Sequence, residues 1–264
     1  MHPRRGSGCR QQRAVVLGLH RGGLALVRAL ARSRVPVEGI TTDYDFGSRS
    51  RYLRHQHFIH GESGAERSRG VLATLRELAR SGRLVLFPDN DDGVEFILEH
   101  WEEVREVADV PLPDDPDTVQ RLRRKELLPL EAAKAGIPVP KTALAGSEEA
   151  VRATGLHPPL LVKPVEGKVF VSIFKEKAFL AHDVDAAVAC WRRAHEREVE
   201  TVIQELIPDC QEHIYSLFTY IGQRGEALAS VVGRKFRQLP VDFGSSTVET
   251  VASSSARSSL NAAR

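Results

Sequence analysis

Lysine is absent from the first 124 residues of this 264-residue chain, where arginine supplies the side-chain cations. Cysteine is also scarce. Cys9, Cys190 and Cys210 are odd in number, widely spaced and contain no C-x-x-C pair, which argues against a disulfide framework or a zinc ribbon. No run of 18 apolar residues occurs, so no membrane-spanning helix is expected. Net charge is only +2, with both signs interspersed, which argues against a dedicated nucleic-acid binder. The opening MHPRRGSGCRQQR has no apolar h-region and does not read as a secretory signal. The expected location is therefore cytoplasmic, with residues 1–13 a disordered basic arm.

What is present is a soluble composition, 42% hydrophobic and 27% charged, long enough for two domains. Ala14 to Leu19 reads as a buried strand, His20-Arg21-Gly22-Gly23 as a turn, LALVRALARSR as a helix, and Val37 to Thr42 as the next strand. Such a unit predicts a parallel α/β sheet. Arg83 to Phe87 is another buried strand, followed by Pro88-Asp89-Asn90-Asp91-Asp92-Gly93 and the helix EFILEHWEEVREV. The Pro/Asp-rich stretch Pro111 to Thr118 places a domain boundary at 112/113. Beyond it come a helix carrying Lys125, an extended segment IPVPKTAL, a strand ending in Lys163, a lid-like turn within Val165 to Phe174, and a strand from Val169 to Lys175. A helix (Val184 to Arg197) and the strand Thr201 to Glu205 follow, and then a hairpin of Ile214 to Tyr220 with Ala227 to Val232. The tail, 252–264, is low in bulky apolar residues and reads as disordered.

Several local features have both a chemical and a structural reading. GLHRGG lacks the second glycine of a dinucleotide fingerprint, so a tight βα turn is favoured over NAD binding. The acids after Phe87 lie where α/β sheets bind ligands, yet they also suit a helix N-terminus, which is the favoured reading. His55 and His57 share a strand face near His60, with no acidic or cysteine partner close in sequence, so a metal site there is disfavoured.

One ordered set stands out: Lys125, Lys163, the polar strand edge Gln204-Glu205-Leu206-Ile207, Glu212, and a cationic segment with Arg234 and Arg237, expected as a loop. An ammonium acts on phosphate oxygens as a point charge, whereas guanidinium suits bidentate pairing. Two lysines and a polar strand edge suit a nucleotide held between two sheets.

The segments RRKELLPLEAAKAGIPVPKT, LLVKPVEG, VIQELIP and GRKFRQLPVDFGSS, in this order, resemble the ATP-grasp superfamily, specifically its carbamoyl-phosphate-synthase-like and D-aspartate-ligase-like carboxylate–amine ligases. The resemblance covers about Ala14 to Val251. It implies a Rossmann-like pre-ATP-grasp domain over 14–112 and an incomplete α+β ATP-grasp domain over 113–251, split into subdomains 113–200 and 201–251. Lys125 and Lys163 would contact phosphates, Gln204, Glu205 and Ile207 the adenine, and Glu212 the ribose. Arg234 and Arg237 would lie near the acyl phosphate as catalytic residues. The implied cofactors are ATP and magnesium, the implied partners a small carboxylate and a small amine, with a homodimer admitted and neither nucleic acid nor membrane expected.

The resemblance also implies magnesium ligands on two late strands. Asp242 and Glu249 are the only late acids, and neither fits that pattern. The expectation is therefore a C-terminally truncated or frameshifted copy with little or no ligase turnover of its own. Three readings follow: an ADP-forming ligase acting through an acyl phosphate, a non-catalytic nucleotide-binding remnant or regulatory module, and, on the N-terminal turn alone, an NAD-linked enzyme.

Overall fold

The computed structural model describes residues 13–124, 126–208, 213–222, 224–239 and 245–252. It divides into two compact units, Met1–Gln120 and Arg121–Arg264. Residues 1–12 of the expected arm and 253–264 of the expected tail lie outside the described residues, while Arg13 and Ala252, expected at the edges of those disordered segments, are strand residues.

The first unit is built on short apolar runs. β1 (Arg13–Leu17), α1 (Arg21–Arg32), β2 (Val37–Thr41), a 3-10 turn (Phe46–Arg49), β3 (His55–Phe58), α2 (Gly64–Ala79), β4 (Leu84–Pro88), α3 (Asp91–Glu99), α4 (Trp101–Val107) and β5 (Ala108–Asp109) follow in order. The five strands pair in parallel as β3-β2-β1-β4-β5. Both sheet faces are covered, so β1 reads as a continuous apolar run rather than an alternating one. Val15 packs into the core with Leu75, Leu86 and Ile97, while its neighbour Val16 packs with Leu19 and Val27. Strand order reverses between β1 and β4, the place where open α/β sheets take ligands beyond their carboxyl ends.

The expected single helix after Asn90 is two. It breaks at His100 (φ −118, ψ 34), whose ring tilts against Phe96 at 5.0 Å.

The second unit continues from α5 (Pro116–Arg123), which carries the division. α6 (Leu128–Lys134), β6 (Thr142–Leu144), α7 (Glu148–Arg152), β7 (Leu160–Pro164), α8 (Gly167–Phe174), β8 (Phe179–Ala181), α9 (Val184–His195) and β9 (Thr201–Glu205) come next. The helix expected around Lys125 is thus α5 and α6, and Lys125 lies outside the described residues. The strands form an antiparallel sheet, β6-β9-β7-β8. Thr201–Glu205, expected to open a second subdomain, pairs inside this sheet. Its core holds Val162, Phe170, Phe179, Trp191 and Ile203, with the Trp191 indole N–H donating to the Ala145 carbonyl at 2.8 Å.

The strand expected over Val169 to Lys175, with its lid-like turn, is helix α8. Val169, Val171 and Ile173 alternate as a strand would, but Phe170 and Phe174 sit four apart. On a helix both reach Phe179, with ring centroids 4.7 and 5.1 Å away. That aromatic triplet decides the conformation and leaves Val169, Val171 and Ile173 partly exposed.

A second antiparallel sheet, β10-β11-β12, follows: β10 (Tyr215–Ile221), β11 (Ala227–Leu239) and β12 (Ser245–Ala252). The hairpin was expected, but β11 runs on through the segment expected as a cationic loop. Arg234 and Arg237 are therefore strand residues.

One buried charge ties the first sheet together. Glu38 in β2 is 1% exposed. Its carboxylate lies 3.5 Å from the Arg13 guanidinium of β1 and 3.1 Å from His57 Nε2 of β3. The partner that His57 lacked in sequence thus comes from the neighbouring strand. Removing one member of a buried pair leaves the other uncompensated, at a cost of about 3–5 kcal/mol. Glu38→Ala is expected to lower unfolding free energy in urea by about that amount, and Glu38→Gln by less; an unchanged midpoint for Glu38→Ala would refute this role.

Candidate functional site

The antiparallel register of β7 and β9 sets Leu161 opposite Gln204 and Lys163 opposite Val202, while β6 sets Thr142 opposite Gln204. Directly opposed residues share a sheet face. Leu160, Val162 and Ile203 point into the helix-covered core, so Lys163, Gln204 and Thr142 stand on the other face with Leu161, Val202 and Leu144.

On that face three side chains form one directed chain. Lys163 Nζ donates to Gln204 Oε1. Gln204 Nε2 donates to Thr142 Oγ1 at 2.8 Å, and Thr142 Oγ1 donates to the Pro140 carbonyl at 3.0 Å. Each donor–acceptor pair fixes the orientation of the next, so the half-buried ammonium is held at one place on the sheet. Leu161 and Val202 on the same face are buried, 4% and 2% exposed, so the accessible part of this face lies around Lys163, Gln204 and the exposed Leu144.

The other expected site residues are distributed differently. Glu205 faces the opposite way. Its carboxylate accepts the His157 backbone N–H at 2.9 Å and lies 3.7 Å from Lys141 Nζ, holding the approaches to β6 and β7 together. Ile207 follows the strand end and is 54% exposed. Lys125, Glu212 and Asp242 lie outside the described residues. Arg234 in β11 sits over the Tyr215 ring, 5.9 Å from its centroid. Lys235 pairs with Glu249 but Arg237 with Val248, so Phe236 is an extra residue. By register that bulge brings Arg237 to the face that carries Arg234.

Thr142 was not among the expected site residues. Its partner Gln204 is 62 residues away in sequence, and no local signal marks the pair. Among the described residues no group of three or more His, Cys, Asp or Glu is placed to hold a metal ion. Cys190, at the back of the same sheet, has its thiol pKa raised by burial.

No protein-family profile and no curated protein sequence matches the chain. Solved structures do match in fold. An L-amino acid ligase from Bacillus licheniformis superposes with a TM-score of 0.68 at 15% identity, covering 96% of this chain and 58% of that one. An ADP complex of PurK, N5-carboxyaminoimidazole ribonucleotide synthetase, gives 0.64 at 12% identity, with 86% and 55% covered. The carboxyaminoimidazole ribonucleotide synthase of Aspergillus clavatus with ATP gives 0.61 at 14% identity, with 88% and 56% covered. The chain thus has the fold of the ATP-grasp ligases and spans somewhat over half the length of these relatives.

Thr142→Val removes the end of the directed chain while keeping its shape. It is expected to cost about 1 kcal/mol in urea unfolding, the worth of one hydrogen bond. It should also broaden the side-chain NMR signals of Gln204. Sharp, unshifted Gln204 amide signals in the variant would show that the chain does not orient that residue.

Proposed function

We propose that the chain binds ATP on the sheet face bearing Lys163 and Gln204, and that it is the nucleotide-binding part of an ADP-forming carboxylate–amine ligase. The observation that carries the reading is the oriented ammonium of Lys163, supported by the fold likeness to ligases solved with ADP and ATP. Lys163 neutralises phosphate oxygens, while Gln204 holds it in place as a positioning residue. Lys125, Ile207 and Glu212 complete the nucleotide contacts in this reading, with Arg234 and Arg237 toward the reacting end, while the Glu205 side chain, on the opposite face, takes no part in them. Its domains are 14–112 and 113–251.

In the reaction a carboxylate oxygen attacks the γ-phosphorus, forming a P–O bond as the bond to the β-phosphate oxygen breaks and ADP leaves. The amine nitrogen then attacks the acyl carbon, phosphate departs, and the nitrogen loses a proton. Such transfers depend mainly on positioning and charge neutralisation.

A second reading, a nucleotide-binding module without turnover, rests on α8. The segment after Lys163 is a helix anchored by fully buried Phe170, not a glycine-rich flap.

Lys163→Met is expected to weaken ATP binding by about tenfold or more in calorimetry, equivalent to at least about 1.4 kcal/mol, with an unchanged circular dichroism spectrum. Lys163→Arg should not restore it, because the planar fork does not replace a compact ammonium. ADP release across paired carboxylates and amines separates the ligase from the module. No ATP binding by the wild-type chain would sink both readings.

A further inference from the structure

The net charge of +2 averages over a segregated distribution. Between Arg21 and Arg54 the chain carries seven arginines against three acids, and between Asp89 and Asp117 twelve acids against one arginine. The first sheet keeps the two apart. α1 packs through Val27 on the face of Val16, whereas α3 and α4 pack through Ile97 and Val104 on the face of Val15. Successive strand residues point to opposite faces, so the acids of α3 and α4 lie across the sheet from α1.

The connection from β2 to β3 is held on the α1 side. The Gly47 N–H donates to the Leu19 carbonyl at 2.8 Å, and Leu53 packs with Leu26 and Leu30 against Val27. On α1, Arg28 and Arg32 stand one turn apart. Arg51 Nη2 donates to the Tyr52 hydroxyl at 3.2 Å. That bond and the Arg51 charge, and then the charges of Arg32 and Arg28, hold the Tyr52 phenol below its usual pKa range. Guanidinium groups from two segments thus converge on one ring.

This charge is not compensated within the unit. Arg28, Arg32, Arg49, Arg51 and Arg54 are exposed, and none has an ion pair among the described residues. Of the three nearby acids, Glu38 is buried against Arg13 and His57. Asp45 caps the 3-10 turn and lies 3.2 Å from His20 Nε2. Asp43 is exposed and accepts the Thr42 hydroxyl at 3.1 Å.

Aromatic rings lie among these cations. Phe46 is 67% exposed with the Arg21 guanidinium 5.7 Å from its centroid, and Tyr44 is 79% exposed with Phe58 stacked at 4.9 Å. Guanidinium forks pair with phosphate oxygens, and exposed rings stack on bases, which together is how single strands are held. A lipid surface fits less well. The exposed positions of α1 include Ala25, Arg28, Ala29 and Arg32 but no large apolar side chain, whereas an interfacial helix buries an apolar face.

From the uncompensated guanidinium groups and the rings among them, we infer that the α1 face of the first unit binds a single-stranded nucleic acid. The inference goes beyond the nucleotide reading and does not depend on it.

The test is fluorescence anisotropy of a labelled strand of about 15 thymidines, within the usual site size, with the full chain at low ionic strength. Saturable binding that weakens with added salt is expected. Arg28→Ala with Arg32→Ala should weaken it about tenfold or more. Tyr44→Leu with Phe46→Leu, which keeps charge and removes stacking, should weaken it about fivefold or more. Arg80→Ala with Arg152→Ala removes equal charge from exposed pairs with Glu77 and Asp185 elsewhere and should leave binding unchanged. Lys163→Met should also leave it unchanged, so that failure of the ATP reading is read separately. The proposal is overturned by flat titrations of a chain folded by circular dichroism, or by binding that either α1-face pair of substitutions leaves intact. It is equally overturned if the Arg80/Arg152 pair or Lys163→Met weakens binding as much, or if a duplex of the same length or phosphatidylserine vesicles bind as tightly as the single strand.

Discussion

The pairing register of β7 with β9 is the constraint on which the candidate nucleotide surface depends. Side chains alternate strictly along a strand, so a slip of one residue would carry Gln204 into the helix-covered core and bring Ile203 out in its place. The register is fixed from the apolar side. Leu160, Val162 and Ile203 are at most 1% exposed among Phe170, Phe179 and Trp191, and a slip of one residue would take them out of that packing. Burial on one face thereby determines hydrogen bonding on the other, and the ammonium of Lys163 is positioned by a core it does not touch.

The two kinds of cation are used in keeping with their shapes. Arg83, in the lysine-free first unit, donates Nε to Asp109 at 2.8 Å and also reaches the carbonyls of Arg105, Glu106 and Ala108. One planar fork thus secures the end of α4 and the edge strand β5. An ammonium has the donors but not the spread to do this. Arg13 similarly reaches Glu38, Ser81 and the Leu78 carbonyl. Arginine in this unit ties backbone together, whereas Lys163 presents a single compact charge to a neighbouring amide.

Much of this was legible in the chain itself, for identifiable reasons. β1, β4 and β7 are built on short apolar runs whose burial leaves little choice, and the N-capping reading of the acids after Phe87 holds because Asn90 and the first-turn aspartates are local. Lys163 was visible because it ends such a run. What stayed hidden was set by distance or by competition between periods. Thr142 and Gln204 meet across 62 residues, and Glu38 finds His57 through parallel pairing. The segment after Lys163 carries an alternating valine pattern and a Phe-x-x-x-Phe pattern at once, and only the position of Phe179 decides between them. The face of Glu205 follows from pairing with Leu160, which places it opposite to Gln204 although the two are adjacent in sequence.

At the edge of the first sheet an internal side chain occupies the place where open α/β sheets ordinarily take a ligand. The β3-β2-β1-β4-β5 order and the glycines after β1 are retained, and these ordinarily leave helix donors open to an anion. Asp89 occupies that place from inside the chain. Its carboxylate satisfies the amides and the dipole end, and its side chain is 2% exposed. An incoming phosphate would have to displace a buried, doubly hydrogen-bonded carboxylate and then remain beside it, which like charges oppose. An added Cβ would lie 2.5 Å from Asp89 Oδ1 at Gly22 and 2.4 Å from the Gly18 carbonyl at Gly23, so the chain itself accounts for both glycines, and the turn is an internal anion site whose anion is part of the protein.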